Sequence, residues 1–388
     1  MDRHFRALQR LPGHVVAYNA SYGAPRWLRS VGFDGVVLHT TFLALRWLDG
    51  FERRRERSAW IADLACPKLA LPQDDYDHAE ILDEWLEELR VDAVLTALPE
   101  DAGTLLPRTS RRAEIRRVLT GYLDDQDVAR LGRPPRLAER PSHVVYRATE
   151  LPFWFGHHGR LKQEIGAAAE AGARRLGLTA DVSTRSEHSI LGPRWLAFLA
   201  SGRAVVGVES GSSALDRRGE LRGMVRAMWK ENPGASFQEI AADLPAGWDD
   251  HRFFALSPRH LEAAAAGTAQ VLVEGSYSGV LEAGRHYLPV RRDLSDLDAA
   301  LAETRDPRSL QRLADTARDE IGHSGSYSYR RLTAEVDDAL RAHGAGARAR
   351  PFHSLALVRG LASAQGALEL GAGSVASRVL SRRRSGRV

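Results

Sequence analysis

The sequence predicts an α/β fold built from two doubly wound parallel sheets that face each other across a cleft. Short apolar runs alternate with amphipathic helical stretches along most of the 388 residues, and this alternation is typical of parallel strands joined by crossover helices. The length also exceeds what one hydrophobic core normally fills. A proline- and arginine-rich segment at 130–142 is a candidate linker. We therefore predict domains at 1–138 and 139–342, followed by a tail at 343–388.

Composition narrows the class of protein. The single cysteine, Cys66, excludes an internal disulfide and fits a reducing cytosol. No run of about 18 apolar residues occurs, so no membrane-spanning helix is predicted. Residues 341–388 contain nine arginines and one acid, whereas the other residues carry 45 basic and 49 acidic side chains. Nucleic-acid binders usually display a basic face on the folded body, whereas here the basic excess lies in the tail, so we expect no nucleic-acid partner. The single cysteine leads us to expect a cytoplasmic protein.

In the first domain, predicted strands are each followed by a polar segment. They cover residues 14–18, 34–38, 67–72 and 91–96. Ligands of parallel α/β sheets bind beyond the carboxyl ends of the strands. This rule indicates a cleft lined by the polar side chains that follow them: Asn19, His39, Asp74 and Asp75.

The second domain is predicted to repeat the alternation of strands and helices. Strands are expected at 143–147, 204–208 and 271–273. Helical periodicity predicts helices at 79–90 in the first domain and at 160–176, 193–201, 296–304, 308–321 and 327–342 in the second. The stretch 217–250 holds few strand signals and is interpreted as an insertion.

The stretch from Ser257 to Asp293 organises the second domain. Ser257 and Pro258 suit the first positions of a helix, an alanine-rich run follows, and Gly267 ends it. The N–H groups and the dipole at a helix N-terminus favour an anion, most often a phosphate. This helix is therefore a candidate anion site, with the acid Glu262 near its first turn.

The motif SPRHLEAAAAGT at 257–268, with the short strand and the loop after it, resembles the C-terminal domain of GT-B glycosyltransferases. The similarity is greatest to the CgeB-like proteins of glycosyltransferase group 1 (family 4-type). It covers residues 143–342 and extends only loosely to the N-terminal half. The resemblance implies two Rossmann-like domains, a nucleotide-sugar donor, and neither a metal nor another cofactor.

The resemblance also implies roles for residues of this motif. Glu262 would bind the ribose of the donor, and Ser257 and Arg259 would bind its diphosphate. In the superfamily another glutamate precedes this one, with seven residues between the two. In this chain the position at that interval before Glu262 is Phe254, so the first glutamate of the pair is missing.

Further donor-binding candidates lie elsewhere in the second domain. The segment GHHGRLK, with five residues between Gly156 and Lys162, resembles a G-x-x-x-x-K phosphate grip with one extra residue and contributes Gly156, Arg160 and Lys162, although two cations on a solvated helix face are an alternative interpretation. Lysine is rare in this chain, so it is expected where arginine does not serve. The loop after 204–208 resembles the family's E-x-G-x-S pattern. The remaining candidates are Arg147, Glu209, Ser210, Gly211, Tyr277 and Ser278.

The candidate catalytic residues are Asp74, Asp75 and His39. A carboxylate in a closed cleft can have its pKa raised towards neutrality, which suits a general base that deprotonates an acceptor hydroxyl. Two alternatives stay open: Asp74 could cap a helix, and His39 could be a core histidine.

Other functions fit parts of the pattern. Asp75-Tyr76-Asp77 matches the metal-binding D-x-D of the GT-A fold. A nucleotide-sugar epimerase would share the two-domain architecture and need no acceptor. A non-catalytic, membrane-associated scaffold would keep the fold alone.

The tail at 351–388 places apolar residues at helical spacing beside an arginine cluster. It is predicted to lie on an anionic membrane surface, to pack against the body as a helix, or to be a disordered end. The sequence as a whole predicts a metal-independent glycosyltransferase of polysaccharide or cell-envelope biosynthesis. It would move a sugar from a nucleotide-diphosphate sugar to a glycan or lipid-linked acceptor, in the cytoplasm or on the inner face of the cell membrane.

Overall fold

The computed structural model describes residues 2–20, 23, 25, 28, 31–346, 360–362 and 364. Two parallel sheets with intervening helices form its framework, so the predicted α/β class is confirmed. Most of the tail at 351–388 lies outside the described residues, and its three interpretations stay predictions. Among the described residues, no helix has the length and apolar content needed to cross a membrane.

The first sheet has four parallel strands in the order β1-β2-β3-β4. Its strands are β1 (Val36–Leu38), β2 (Lys68–Ala70), β3 (Ala93–Thr96) and β4 (Glu114–Arg117). The helices of this half are α1 (Asp2–Leu8), α2 (Thr40–Leu43), α3 (Phe51–Ser58), α4 (Ala79–Glu88), α5 (Ala102–Leu105) and α6 (Asp125–Leu131). The strand predicted at 14–18 is wrong, since these residues belong to neither sheet. A short apolar run fits the strand pattern, but it forms a strand only where a neighbour offers it unpaired backbone groups.

The second sheet has five parallel strands in the order β11-β10-β7-β5-β6. In chain order its half contains β5 (Ser142–Arg147), α7 (Gly156–Arg175), β6 (Ala180–Ser183), α8 (Pro193–Ser201), β7 (Gly202–Gly207), β8 (Ser210–Ser212), α9 (Glu220–Glu231), α10 (Phe237–Ala242), β9 (Phe253–Ala255), α11 (Pro258–Ala265), β10 (Ala269–Val273), β11 (Leu288–Val290), α12 (Leu297–Ala302), α13 (Arg308–Ala317) and α14 (Tyr329–Ala342). The strands β8 and β9 form a separate antiparallel pair. The predicted strands and helices of this half are present, and the insertion at 217–250 is helical.

The strand order of the second sheet creates a crevice. Counted within this sheet, β5 to β11 have the doubly wound order 2-1-3-4-5, and the winding direction reverses between β5 and β7. At such a switch point the connections leave neighbouring strands towards opposite faces, so a ligand-sized gap opens at the carboxyl ends.

The helix α14 returns to the first sheet. Its residues Leu332, Val336 and Ala339 are buried in one cluster with Leu69 and Leu95 of β2 and β3. The helix α1 packs against the same helix. The predicted domain boundaries stay a prediction, although the chain assigned to the second domain ends on the first sheet.

One buried arginine of the predicted linker, Arg140, joins the linker to the second sheet. Its guanidinium donates to the carbonyls of Ala266 and Gly267, just beyond α11, at 3.0 and 2.8 Å. It also donates to the Gly202 carbonyl at 2.9 Å and to Thr268 Oγ1 at 2.7 Å. A cation at this end of α11 satisfies the last carbonyls of the helix and complements its dipole.

Replacing Arg140 by alanine should lower the free energy of unfolding by about 3–5 kcal/mol, because several buried acceptors would lose a charged donor. Urea unfolding followed by circular dichroism measures the change. The matched control is Arg136→Ala in the same segment, where the arginine is exposed. Equal unfolding midpoints for the two variants would contradict the structural role of Arg140.

Candidate functional site

A cavity of about 220 Å³ opens at the switch point of the second sheet. Residues of β5, β7, α7, α8 and α11 line it. Its polar and aromatic lining includes Arg147, Lys162, Trp195, Ser210, Ser257 and Arg259. All of these except Trp195 are predicted donor-binding residues, so the fold brings five separate predictions together around one cavity.

Lys162 brings a positive charge to the cavity without a partner. Its ammonium group makes no hydrogen bond or ion pair with another described residue. Burial and the nearby Arg259 lower the pKa of Lys162 to about 8, and Asp74 of the first domain opposes the shift. An ammonium group without a counter-ion in such a place costs free energy, which a bound anion offsets.

The two arginines of the cavity, Arg147 and Arg259, differ in whether an acidic side chain already binds the guanidinium group. Arg147 donates to the Asp181 carbonyl at 2.9 Å and to its carboxylate at 2.5 Å, and it lies over the Phe198 ring. Arg259 forms no ion pair within the described part of the chain, and its guanidinium lies 5.8 Å from the centre of the Trp195 ring. Arg147 is therefore a fixed part of the wall, whereas Arg259 can reach a ligand.

The start of α11 is held at the boundary between the two sheets. Ser257 precedes the helix and Pro258 lies in its first turn, as predicted. The backbone N–H of Leu256 donates to Ser278 Oγ at 3.0 Å. Thr120 of the first domain donates through Oγ1 to the Leu256 carbonyl at 2.6 Å. Ser278 thus positions the helix start, while Ser257 itself lines the cavity.

Glu262 lies behind Trp195 and does not line the cavity directly. Its Oε2 accepts a hydrogen bond from Trp195 Nε1 at 2.6 Å. Its Oε1 is 3.9 Å from Arg3 Nη1. Burial raises the pKa of the Glu262 carboxyl, and the bond from Trp195 opposes this shift. The glutamate therefore fixes the indole that lines the cavity and keeps one oxygen without a short hydrogen bond among the described residues.

The start of α7 is capped by the protein itself. The Asp249 carboxylate accepts a hydrogen bond from the backbone N–H of His157 at 2.9 Å. Gly156 has φ +72°, and a Cβ at this position would collide with Asp249. The predicted phosphate grip is corrected accordingly: the helix start binds an internal carboxylate, and of this segment only Lys162 lines the cavity.

Arg160 points away from the cavity, so its predicted role is also corrected. It forms an ion pair with Glu150 at 2.9 Å and lies over the rings of Phe153 and Phe237. Residues two positions apart on a helix face different directions. Arg160 and Lys162 therefore cannot both face the sheet, and the motif alone does not say which one does.

The loop after β7 is held by a buried glutamate. Glu209 accepts hydrogen bonds from the backbone N–H of Tyr277 at 2.6 Å and from a serine hydroxyl at 3.1 Å. Burial raises the pKa of Glu209, and these hydrogen bonds oppose the shift. Its neighbour Ser210 lines the cavity. Gly211 has φ +114° and passes so close to the Phe253 carbonyl that a side chain would collide with it.

Tyr277 is a core residue, which corrects the predicted contact with the donor. Its ring is fully buried, and its hydroxyl donates to the Val273 carbonyl at 2.5 Å. The ring packs against Tyr287 and His260. Tyr277 and Ser278 have φ values of +45° and +54°. Both residues shape the loop that supports α11.

On the first domain, the buried Arg46 shapes the loop that carries the predicted catalytic aspartates. Its guanidinium donates to the carbonyls of Gln73, Asp74 and Asp77 at 3.0, 2.9 and 3.0 Å. The loop holds Asp74 exposed, in the left-handed region at φ +51°. The negative charge of Asp74 raises the pKa of Lys162. Asp74 does not itself line the cavity, and its Oδ1 accepts a hydrogen bond from the Tyr76 hydroxyl at 2.6 Å.

Asp75 points into the first domain. It is buried, and its Oδ2 accepts a hydrogen bond from Thr96 Oγ1 at 2.5 Å. Burial raises the pKa of Asp75 to about 6, although Thr96 and Arg46 lower it. This pKa would suit a general base, but Asp75 does not line the cavity.

His39 fits the interpretation as a core histidine. Its Nε2 lies 3.0 Å from His4 Nδ1, and its Nδ1 accepts from the backbone N–H of Thr41 at the start of α2. Burial lowers the pKa of both His4 and His39 to about 4. Both rings are therefore neutral at pH 7, and His39 does not line the cavity.

One group of possible metal ligands occurs among the described residues: Asp77, His78 and Asp216. Asp77 pairs with His78 at 2.6 Å and lies 3.6 Å from Arg222. Asp75 is not part of this group, so the structure does not assemble the D-x-D alternative.

Trp195 and His260 are among the lining residues that the sequence does not predict. His260 Nε2 lies 3.0 Å from the Val208 carbonyl, and burial lowers the pKa of this histidine to about 4. Trp195 lies at helical spacing among apolar residues of α8, so the sequence pattern favours a core position for it. Nothing in that pattern marks the side of the helix that faces the cavity.

Searches among models of protein families and among curated proteins find no match. Among solved structures, the chain is similar to TarM, with 8% identity over 72% of this chain and 52% of TarM and a TM-score of 0.40. It is similar to HepE of Anabaena in complex with UDP-glucose, with 13% identity over 75% of this chain and 77% of HepE and a TM-score of 0.40. It is also similar to the pneumococcal O-GlcNAc transferase GtfA in complex with UDP and GlcNAc, with 10% identity over 76% of this chain and 55% of GtfA and a TM-score of 0.39. The chain thus spans about half the length of TarM and GtfA. Similarity at this level assigns no substrate to it.

The buried Asp75 should make stability depend on pH. Its pKa is raised in the folded protein, so its contribution is complete below about pH 4 and is lost as the pH rises through about 6. Asp75→Asn removes this titration and keeps an acceptor for Thr96. The variant should therefore gain stability relative to the wild type between pH 4 and 7, by up to about 3 kcal/mol. Urea unfolding at several pH values measures this difference, and parallel pH profiles would show that Asp75 does not titrate in this range.

Proposed function

We propose that this protein is a glycosyltransferase that moves a sugar from a nucleoside-diphosphate sugar to a glycan or lipid-linked acceptor. The observation that carries the proposal is the cavity at the switch point between β5 and β7, where Lys162 and Arg259 bring positive charge without an ion-pair partner among the residues that the structure describes. Switch points of doubly wound sheets are where nucleotides bind. A diphosphate supplies the negative charge that this lining lacks.

The cations suit the demand of the reaction. Glycosyl transfer breaks the bond between the anomeric carbon and a diphosphate oxygen, so negative charge grows on the leaving group. Lys162 and Arg259 would stabilise that charge in a partly enclosed site, where electrostatic interactions are stronger than in water. The positive end of α11 at Ser257 would add to this effect.

We propose that the nucleoside end of the donor lies against α8 and α11. The indole of Trp195 offers a flat apolar wall, and Glu262 holds it through Nε1. Glu262 does not line the cavity, and its second carboxylate oxygen lies 3.9 Å from Arg3, so in this proposal Glu262 acts on the nucleoside by fixing the indole and not by the direct ribose contact that the sequence predicts.

On the acceptor side, Asp74 is our candidate general base. It is exposed on the first domain and lies close enough to Lys162 to affect its pKa. Asp75, which follows it in sequence, is buried and would support the loop, and His39 is buried at the start of α2 and would support that helix. We further propose that no divalent metal is needed, because cationic side chains bind the diphosphate. The basic tail would bring the enzyme to an anionic membrane surface.

A nucleotide panel tests the proposal. UDP, GDP, ADP, CMP and dTDP are added separately, and the thermal midpoint is measured with and without EDTA. At least one nucleoside diphosphate should raise the midpoint, since ligand binding stabilises the folded state, and EDTA should leave the shift unchanged. Transfer from the corresponding nucleotide sugar to an acceptor then separates a transferase from an epimerase, which acts without one.

Matched lysine variants sharpen this test. Lys162→Met should weaken nucleotide binding by about 1.5–3 kcal/mol, the scale of a hydrogen bond to a charged group. Lys230→Met, which removes an exposed lysine of α9, should leave it unchanged. Equal binding by both variants, or no shift with any nucleotide, would contradict the proposed function.

The pH dependence of nucleotide binding provides an independent check on Lys162. Below its pKa of about 8 the ammonium group is charged, so affinity should be constant between about pH 7, where the terminal phosphate of the nucleotide is ionised, and pH 8, and should fall above pH 8 by up to about tenfold per unit. Of the neighbouring charges, Arg259 lowers this pKa and Asp74 raises it. Lys162→Arg should bind with an affinity that is flat up to pH 9.5, because a guanidinium stays charged. The same decline in both proteins would exclude Lys162 as its cause.

A further inference from the structure

A second group of positive charges lies on a phenylalanine ring beside the cavity. The guanidinium carbons of Arg252 and Arg292 lie 5.8 and 5.4 Å from the centre of the Phe254 ring. The ring of His158 stacks on the same phenylalanine, with centroids 3.7 Å apart. We name these four residues the Phe254 cluster.

The two arginines of the Phe254 cluster have no carboxylate partner. Neither forms an ion pair with any residue that the structure describes, whereas Arg175 and Arg285 of the same domain pair with Asp298 and Glu320. Burial and the charge of Arg252 lower the pKa of Arg292. Two guanidinium groups that affect each other in this way are stabilised by an anion between them.

Acidic side chains nearby do not fill this role. Asp249, Glu209 and Glu164 act on Arg292 only from beyond ion-pair distance. Asp249 accepts a hydrogen bond from a backbone N–H at the start of α7, and Glu209 accepts one from the loop below α11. Their hydrogen bonds hold these carboxylates in the fold, so the arginines remain available to a ligand.

His158 holds Arg292 in position. Its Nε2 lies 3.1 Å from the Glu209 carbonyl, and because a carbonyl only accepts, Nε2 must carry the proton. The other ring nitrogen, Nδ1, is then an acceptor, and it lies 3.4 Å from Arg292 Nη2. Burial lowers the pKa of His158 to about 3, which keeps the ring neutral at pH 7. The histidine therefore orients the guanidinium instead of repelling it.

The Phe254 cluster is within reach of a sugar at the cavity. His158 and Lys162 are four residues apart on α7, so they share one helix face at a spacing of about 6 Å. Arg292 follows β11, which lies two strands from β7 and hence roughly 10 Å from the cavity. With the diphosphate in the cavity, a position at this distance is that of the donor's sugar or of the acceptor that faces this sugar.

We propose that Arg252 and Arg292, supported by Phe254 and His158, form a subsite for a carboxylate or phosphate group on one of the two sugars of the reaction. The planar guanidinium fork matches both oxyanions. The group belongs either to the donor, as in a uronic acid, or to the acceptor, as in a sugar phosphate. This inference rests on the proposed function and adds the substrate class to it.

Binding of charged and neutral donors tests the first source. Isothermal titration compares UDP-glucuronate with UDP-glucose, and GDP-mannuronate with GDP-mannose, on the full chain. A carboxylate on the donor should improve affinity at least tenfold over the neutral sugar of the same nucleotide. The double variant Arg252→Gln, Arg292→Gln should abolish this preference and bind UDP or GDP alone as the wild type does.

Binding of charged and neutral acceptors tests the second source. Glucose 6-phosphate and glucose are titrated with and without saturating nucleotide, and the phosphate should improve affinity at least tenfold in the wild type and not in the double variant. The control is Arg53→Ala, which removes an exposed arginine of α3 and should change neither preference. Unchanged thermal midpoints show that the variants fold.

The outcomes separate this inference from the proposed function. A preference for the charged sugar in either arm that the double variant loses supports the subsite. The subsite is overturned if neither the donor titrations nor the acceptor titrations show a preference for the charged sugar. It is also overturned if the double variant loses as much affinity for UDP or GDP alone, since the arginines would then be diphosphate ligands. If no nucleotide binds, the proposed function fails by itself, and the glucose 6-phosphate titration without nucleotide still decides the subsite.

Discussion

The geometry of the cavity depends on one buried guanidinium at the far end of α11. Arg140 binds the carbonyls that end this helix and the backbone where β7 begins. With one end fixed to the sheet, the opposite end of an eight-residue helix is directed to the boundary between the two halves. Hydrogen bonds from Thr120 and to Ser278 hold it there. A helix start that is fixed in this way costs little further ordering when a ligand binds.

The second feature is the uneven distribution of counter-ions. Arg147 and Arg160 are paired with acids and act as parts of the framework. Lys162, Arg259 and Arg292 are left without ion pairs among the described residues, and all three lie towards the carboxyl edge of the second sheet. Repulsion among cations that lack counter-ions opposes folding. The polyanionic substrate that we propose would relieve that repulsion on binding.

Local signals explain why much of the second half is predictable. Helix α8 begins at the predicted Pro193 because the proline ring fixes φ near the helical value, and Gly267 ends α11 with φ +56° because glycine, without a Cβ, adopts left-handed backbone at no steric cost. The misplaced strand at 14–18 has the same apolar character as β5, but strand formation also requires a partner. Tyr277 looks exposed because serine and glycine surround it, yet its ring fills the space below α11. Its burial is a property of the packing and not of the neighbouring residues.

The sequence by itself determined the alternation of strands and helices, the start of α11 and five of the residues that line the cavity, since each depends on spacing or on local backbone preferences. Only the tertiary structure decided which cations face the cavity, that Asp249 caps α7, and that Arg252 and Arg292 meet over Phe254. Those outcomes depend on the rotation of each helix about its axis and on contacts between residues far apart in the chain. Both are fixed only when the whole core packs.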